Sequence, residues 1–331
     1  MRSLFFATDL HGSETCWRKF LNAARFYEVD VLICGGDITG KALVPIVERP
    51  GGFEIWNGQG DPFASNDAEP VAGWISRPGS LAIVPREALE TKEKSMRRAG
   101  YYPMRVTAEE LKQMVASPDL VRAAFRKQML GTLERWLEVA EVKLRGTGIR
   151  CIACPGNDDT FDLDGLLADS SVVELGEGCN IDLGGCELIS TGWVNPTPWN
   201  TYREEPEDEL RERIDSMVRT LRDPSRAIFN FHAPPFRSGL DDAPALNRNL
   251  RMQYGGAAIH PVGSTAVRDA IWVVRPSLSL HGHVHEAWGS RRLGRTLAIN
   301  PGSSYDHGIL RGAIVRLDPR RGVSSYQLVE G

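Results

Sequence analysis

Along the chain, short apolar runs bounded by turn residues alternate with stretches where apolar side chains recur every three or four positions. Leu4 to Ala7, Val31 to Cys34, Ile152 to Ala153, Ala227 to Phe231 and Leu278 to Leu280 are runs of the first kind. Each is short and mostly apolar, as expected of a strand buried on both faces. Ser13 can cap a helix in which Trp17, Phe20, Leu21 and Ala24 fall on one face. Strand, helix, strand in that order predicts a parallel pair with a right-handed crossover. Parallel strands end on one edge of a sheet, so the loops that follow them meet there.

The rhythm breaks after Lys41. Ala42 to Glu48 and Phe53 to Asn57 flank Arg49-Pro50-Gly51-Gly52, a β-hairpin signal, and Gly58 to Gly73 reads as a mobile loop rich in turn residues. The stretch of about 41–106 is expected to be an insertion beside the site, either a substrate lid or a surface embellishment. Helical pattern resumes with Thr107 and Glu110 as a capping box. Ser117-Pro118 then starts a long helix with Val121, Phe125, Met129, Leu133, Trp136 and Ala140 on its buried face and Gly146 beyond its end. Further helices are expected over Glu205 to Leu221 and Ser264 to Val273. Strands are expected at Thr296 to Ile299, Gly312 to Leu317 and Ser324 to Val329. The reading is α/β, one elaborated domain over 1–331.

Composition narrows the class. At 331 residues, 42% apolar and 25% charged, the chain is an ordinary globular one. A net charge of −4 argues against a general grip on nucleic-acid phosphates, and no run reaches the roughly 18 apolar residues of a membrane span. Nucleic acid and membrane are therefore not expected as partners, and the expected location is the cytoplasm. Six cysteines without a secretion signal are expected to be reduced thiols. Cys151-Ile152-Ala153-Cys154 lacks the second pair that a zinc site needs.

The candidate chemistry sits at the ends of the five apolar runs: Asp9-Leu10-His11, Gly36-Asp37, Gly156-Asn157-Asp158-Asp159, His232 and Gly282-His283-Val284-His285. Taken singly, each has an ordinary explanation as a cap, a turn or a structural histidine. Two histidines at i and i+2 on an extended strand point the same way and could serve one pair of ions. Brought together at strand ends, these oxygen and nitrogen donors suit divalent transition ions, and there are too many for one ion. A carboxylate bridging two ions about 3.5–4 Å apart lets them share a water and lower its pKa, and Asp37 fits that bridge.

The set resembles the calcineurin-like metallophosphoesterase superfamily, whose pattern is D-x-H, G-D, G-N-H-[DE], H and G-H-x-H. The resemblance runs from about Arg2 to Gly302, apart from the insertion, and Asn300-Pro301-Gly302-Ser303 also looks like that family. Pro261 to Arg268 looks like small prokaryotic members. The resemblance implies a two-sheet α/β sandwich with the metal site at strand carboxyl ends. It implies that Asp9, His11, Asp37 and His285 hold one ion, and that Asp37, Asn157, His232 and His283 hold the other. The ions expected are Mn, Fe, Zn, Co or Ni, with Mn favoured.

One departure changes the expected substrate. Asp158 stands where the family has the histidine that protonates the leaving oxygen or holds the phosphate. Beside two cations a carboxylate is ionised, so it is a poor acid and repels a dianionic phosphate. Either catalysis favours singly charged phosphodiesters, or Asp158 orients a ligand such as His11. Asn157 and Asp158 are thus the candidate catalytic positions beside the ligands. The expected function is dinuclear metal-dependent phosphohydrolysis of a small phosphoester, with a metal-bridged hydroxide as attacking group. A phosphodiester is expected before a monoester. The alternatives are a phosphomonoesterase, a non-catalytic interaction scaffold and, against the charge, a nuclease.

Overall fold

The structure, a computed structural model, describes residues 2–40, 42–56, 81–245, 258–318 and 322–331. The expected loop over Gly58 to Gly73 lies outside them.

The strands are β1 (Arg2–Ala7), β2 (Val31–Cys34), β3 (Ala42–Arg49), β4 (Gly52–Trp56), β5 (Leu81–Val84), β6 (Tyr101–Val106), β7 (Arg150–Ala153), β8 (Val173–Leu175), β9 (Asn180–Asp182), β10 (Glu187–Thr191), β11 (Ile228–Phe231), β12 (Asp242–Pro244), β13 (Ile259–Pro261), β14 (Leu278–Leu280), β15 (Gly289–Leu293), β16 (Thr296–Asn300), β17 (Arg311–Asp318) and β18 (Gly322–Glu330). Twelve of them build two six-stranded sheets, in the orders β18-β17-β1-β2-β7-β8 and β15-β16-β14-β11-β10-β9, β12 pairs with β13, and the remaining four form a separate sheet. Within each six-stranded sheet, four neighbouring strands run parallel: β1, β2, β7 and β8 in the first, β16, β14, β11 and β10 in the second.

Strand alternation sorts the apolar side chains into layers. Leu4, Phe6, Ile33 and Ile152 of the first sheet meet Leu188, Ile228, Leu278 and Ile299 of the second in one buried cluster between the sheets. Phe5, Ala7, Leu32 and Cys151 point the other way, onto the helices Glu14–Phe26 and Pro118–Leu144. Ile189, Phe229 and Phe231 cover the outer face of the second sheet with helices Glu207–Val218 and Thr265–Val274. This is a helix, sheet, sheet, helix sandwich, and burial on both faces is why the central strands read as unbroken apolar runs.

The expected helix starts hold: Ser13 accepts from the Cys16 N–H, and Thr107 and Glu110 form their reciprocal box. The hairpin at Arg49 to Gly52 forms as well. Other expectations need correction. The stretch after Lys41 has regular structure that its pattern hid: a four-stranded sheet in the order β5-β4-β3-β6, with the helix Leu89–Arg98 leading into β6. Only Leu89, Glu93 and Met96 of that helix are buried, so its sequence reads as polar. Leu43, Val44, Ile46 and Ile55 share one buried cluster with Trp17 and Trp136, so this sheet is packed into the molecule. The helix expected over Glu205 to Leu221 is the shorter Glu207–Val218, because Pro206 takes an extended backbone just before it.

Candidate metal centre

The residues expected to carry the chemistry meet at the carboxyl ends of five parallel strands. Asp9 and His11 follow β1, Asp37 follows β2, and Asn157 and Asp158 follow β7. His232 follows β11, and His283 and His285 follow β14. Three of these strands lie in one sheet and two in the other, so the site straddles the seam of the sandwich.

The loops are locked to one another before any ligand is considered. Backbone N–H groups of Asp9, His11 and Gly12 donate to the carbonyls of Gly36, Asp37 and Ile38. The Asp9 carboxylate accepts the His283 N–H at 3.1 Å, and Asp37 Oδ1 accepts the Asp158 N–H at 3.0 Å. Asn300 Nδ2 donates to the Gly282 and Val284 carbonyls, and the Ser303 hydroxyl donates to the Asp9 carbonyl. Asp9, His11, Asp37 and His283 all take positive φ, between 40° and 68°. Such strain in non-glycine residues persists only where surrounding bonds enforce it, and it concentrates at functional sites.

Two neighbouring donor clusters result. Asp9, His11 and His285 form one; Asp37, His232 and His283 form the other. In the first, His11 Nε2 and His285 Nε2 face each other at 3.0 Å, with Asp9 Oδ1 3.8 Å and 3.3 Å away from them. In the second, Asp37 Oδ2 lies 3.3 Å from His232 Nε2, and His283 Nδ1 lies 2.8 Å from Asn157 Oδ1. Asp37 Oδ2 also lies 3.5 Å from His11 Nε2, which puts this carboxylate between the clusters. The reading of His283 and His285 as side chains of one extended strand is corrected. β14 ends at Leu280, and the left-handed φ of His283 turns the two rings into different clusters.

The electrostatics ask for a cation. Burial opposes a proton on His232, yet the charge of Asp37, and Asp9 beyond it, raise this histidine to about 9. Its Nδ1 is committed to the Gly35 carbonyl at 3.0 Å, while the buried Nε2 faces the carboxylates, 3.3 Å from Asp37 Oδ2. Burial, and then the charge of His232, push His283 down to about 4, so its ring is neutral and open to a ligand role. Burial alone would raise Asp9, but the bond from His285 and the charge of His232 hold it below the usual carboxylate range. Borderline nitrogen donors mixed with carboxylate oxygens, in a pocket that favours positive charge, fit divalent transition ions.

Solvent reaches the site at His285 and Asp158. His11 and His232 are fully buried, whereas the side chains of His285 and Asp158 are 27% and 14% exposed. Asp158 Oδ2 lies 3.9 Å from His11 Nδ1, and His11, Asp37 and Asp158 form a third candidate group. Tyr305 edges the site, with its ring 4.7 Å from that of His11. His307, from the same segment, is a surface residue beside Asp306. Sequence reasoning gave no role to Asp159, which is fully buried. Its carboxylate accepts from the backbone of Ile38, Thr39 and Gly156 and from the Thr39 hydroxyl, pinning the Asn157 loop to the Asp37 loop. The signal for it was its match to the acidic last position of the G-N-H-[DE] pattern. Among the described residues all six cysteines are free, Cys151 and Cys154 being buried away from the donor clusters.

Against the models of known protein families the sequence matches none. The uncharacterized protein MJ1162 of Methanocaldococcus jannaschii is 25% identical to it over 157 residues, 45% of this chain. The aligned part spans 62% of that relative's length. One solved structure superposes with a TM-score of 0.54 at 14% identity, over 99% of this chain and 98% of its own. Weaker likenesses are to TT1561 of Thermus thermophilus (TM-score 0.45, 13% identity, 100% of this chain and 98% of that one) and to Yfce, a phosphoesterase from E. coli (0.32, 13%, 98% of each). The structure that superposes with a TM-score of 0.54 shares this chain's fold, a two-sheet α/β sandwich.

Proposed function

We propose that the chain is a dinuclear metal-dependent phosphohydrolase of small phosphoesters, acting on phosphodiesters in preference to monoesters. The observation that supports this most is the paired donor clusters with Asp37 between them. In this reading Asp9, His11, Asp37 and His285 hold one divalent ion. Asp37, Asn157, His232 and His283 hold the other. Mn is the first expectation, and Fe, Zn, Co and Ni suit the same donors. Two ions so held would supply Lewis acidity toward phosphoryl oxygens and a nucleophile at neutral pH.

The chain's own residues do the rest. Gly35 O fixes the His232 tautomer so that Nε2 faces inward. Asp9 and Asp37 each bind a backbone N–H of a neighbouring loop, so the donors are in place before substrate arrives. Asp158 sets negative charge at the open side, where it opposes a dianionic monoester more than a singly charged diester. No helix among the described residues is long and apolar enough to cross a membrane. A reducing, cytoplasmic setting suits the free cysteines.

The test uses protein freed of metal and reloaded with each ion in turn, assayed on a bis-aryl phosphodiester and an aryl phosphomonoester. Faster diester turnover with Mn is expected, at two bound ions per chain. A preference for monoesters across several metals removes the diester claim. No turnover of either ester with both ions bound turns the reading toward a non-catalytic scaffold.

A further inference from the structure

Asn157 is the one neutral side chain in the proposed ligand set other than the imidazoles. Its amide has two ends of nearly equal shape and opposite chemistry: Oδ1 can hold a cation and Nδ2 cannot. Nothing in Asn157 itself decides which end turns toward His283. The decision is made outside the donor clusters, in the segment that follows β10.

Asn157 Oδ1 lies 2.8 Å from His283 Nδ1, and Nδ2 donates to Thr201 Oγ1 at 2.8 Å. The Thr201 hydroxyl donates to Glu204 Oε1 at 2.6 Å. Glu204 is saturated with donors: the Thr201 N–H at 2.7 Å, the Thr197 N–H at 2.8 Å and the Thr197 hydroxyl at 2.6 Å also end on its carboxylate. Burial favours the neutral acid, but the bonds from Thr197 and Thr201 outweigh it and hold Glu204 below the usual range, leaving an acceptor. A hydroxyl has one hydrogen. Once Thr201 gives it to Glu204, only lone pairs face Asn157, and lone pairs call for an N–H. The other Nδ2 hydrogen is directed to Asp158 Oδ1 at 3.3 Å. The backbone agrees, since the Tyr202 and Arg203 N–H groups both donate to the Asn157 carbonyl.

We propose that Thr201, oriented by Glu204, is a positioning residue that sets the Asn157 amide with its oxygen toward the second ion. The inference rests on the dinuclear reading and assigns a cause to one of its ligands. Removing the Thr201 hydroxyl leaves, among the described residues, the weaker Asp158 contact as the side-chain constraint on Nδ2. Removing the Thr197 hydroxyl takes one bond from the same carboxylate without touching Asn157. The two substitutions therefore separate orientation of the amide from general support of the loop.

The experiment is Mn titration by calorimetry into metal-free protein, for the wild type, Thr201→Val, Thr201→Ser and Thr197→Val. For Thr201→Val, one of the two Mn sites is expected to weaken about tenfold while the other holds, a usual effect of losing a partner of a metal ligand. Thr201→Ser keeps a hydroxyl and is expected to restore the wild-type isotherm, and Thr197→Val is expected to match it. If Thr201→Val does not fold, Thr201→Ala is read in its place, with a loss of about threefold because water can stand in for the hydroxyl. Wild-type affinity at both sites in the hydroxyl-free variant overturns the proposal alone. So does an equal loss in Thr197→Val, or a loss shared by both Mn sites. Fewer than two Mn sites in the wild type overturns it together with the dinuclear reading.

Discussion

At the scale of the residue, the centre depends on side chains held where they would not rest by themselves. Asp9, His11, Asp37 and His283 sit at positive φ, and His232 is a buried ring raised to about 9 by neighbouring carboxylates. Asp158 is the position where substrate preference and metal binding come apart. Its backbone N–H holds Asp37, while its carboxylate lies near His11 and Asn157. Asp158→Asn keeps the backbone bond, so both ions are expected to stay bound with affinity within about tenfold of the wild type. Asp158→His supplies a proton donor and is expected to raise turnover of esters with poor leaving groups more than that of activated aryl esters. Calorimetry and paired-substrate kinetics check both. If Asp158→Asn loses an ion as completely as Asp37→Asn does, Asp158 is itself a ligand.

At the scale of the element, strands deliver the donors and loops aim them. A methyl group on Gly156 would overlap the Asp37 carboxylate and backbone nitrogen, and one on Gly282 would overlap Thr8 and Asp9. These glycines are needed for close approach between loops. Gly156→Ala is expected to leave circular dichroism unchanged, because no apolar cluster is touched, and to weaken Mn binding by about tenfold or more through displaced Asp37. Unchanged binding would mean that the loop can yield without moving its donor. The described part of the stretch after Lys41 is tied to the same region. A methyl on Gly100 would strike the His11 carbonyl, and the Tyr102 hydroxyl accepts the Gly40 N–H. This sheet braces the loop that carries Asp9 and His11.

At the scale of the molecule, stability and site are separable. Among the described residues three buried apolar clusters hold the layers together, and none includes a donor side chain of the site. Chelation is therefore expected to leave the far-ultraviolet circular dichroism of the folded chain intact. Adding Mn back is expected to raise the thermal midpoint in a concentration-dependent way, by the equivalent of about 2.7 kcal/mol for each occupied site at a hundredfold excess over its dissociation constant. A thermal scan at a series of free Mn concentrations measures this. Loss of secondary structure on chelation alone would show that the ions are part of the core.

The sequence by itself determined the buried strands and the donors that follow them. An apolar run between polar turns has few alternatives when both faces are to be buried, and ligand chemistry admits few residue types. Leu4 to Ala7 followed by Asp9 and His11 was legible for both reasons, as was Val31 to Cys34 followed by Asp37. The helix Leu89–Arg98 was not, since a mostly solvated helix carries little apolar pattern. The resemblance implied how the donors divide, but only the tertiary structure shows the backbone turn that divides them. His283 and His285 are two residues apart, yet a left-handed turn sends their rings to different clusters, and that φ is imposed by contacts from other loops. The bonds joining Asp159 to Thr39 and Asn157 to Thr201 were likewise invisible, because a hydrogen bond between residues dozens of positions apart leaves no periodic trace in the chain. Donor identity is a property of single residues; donor direction is a property of the packed loops.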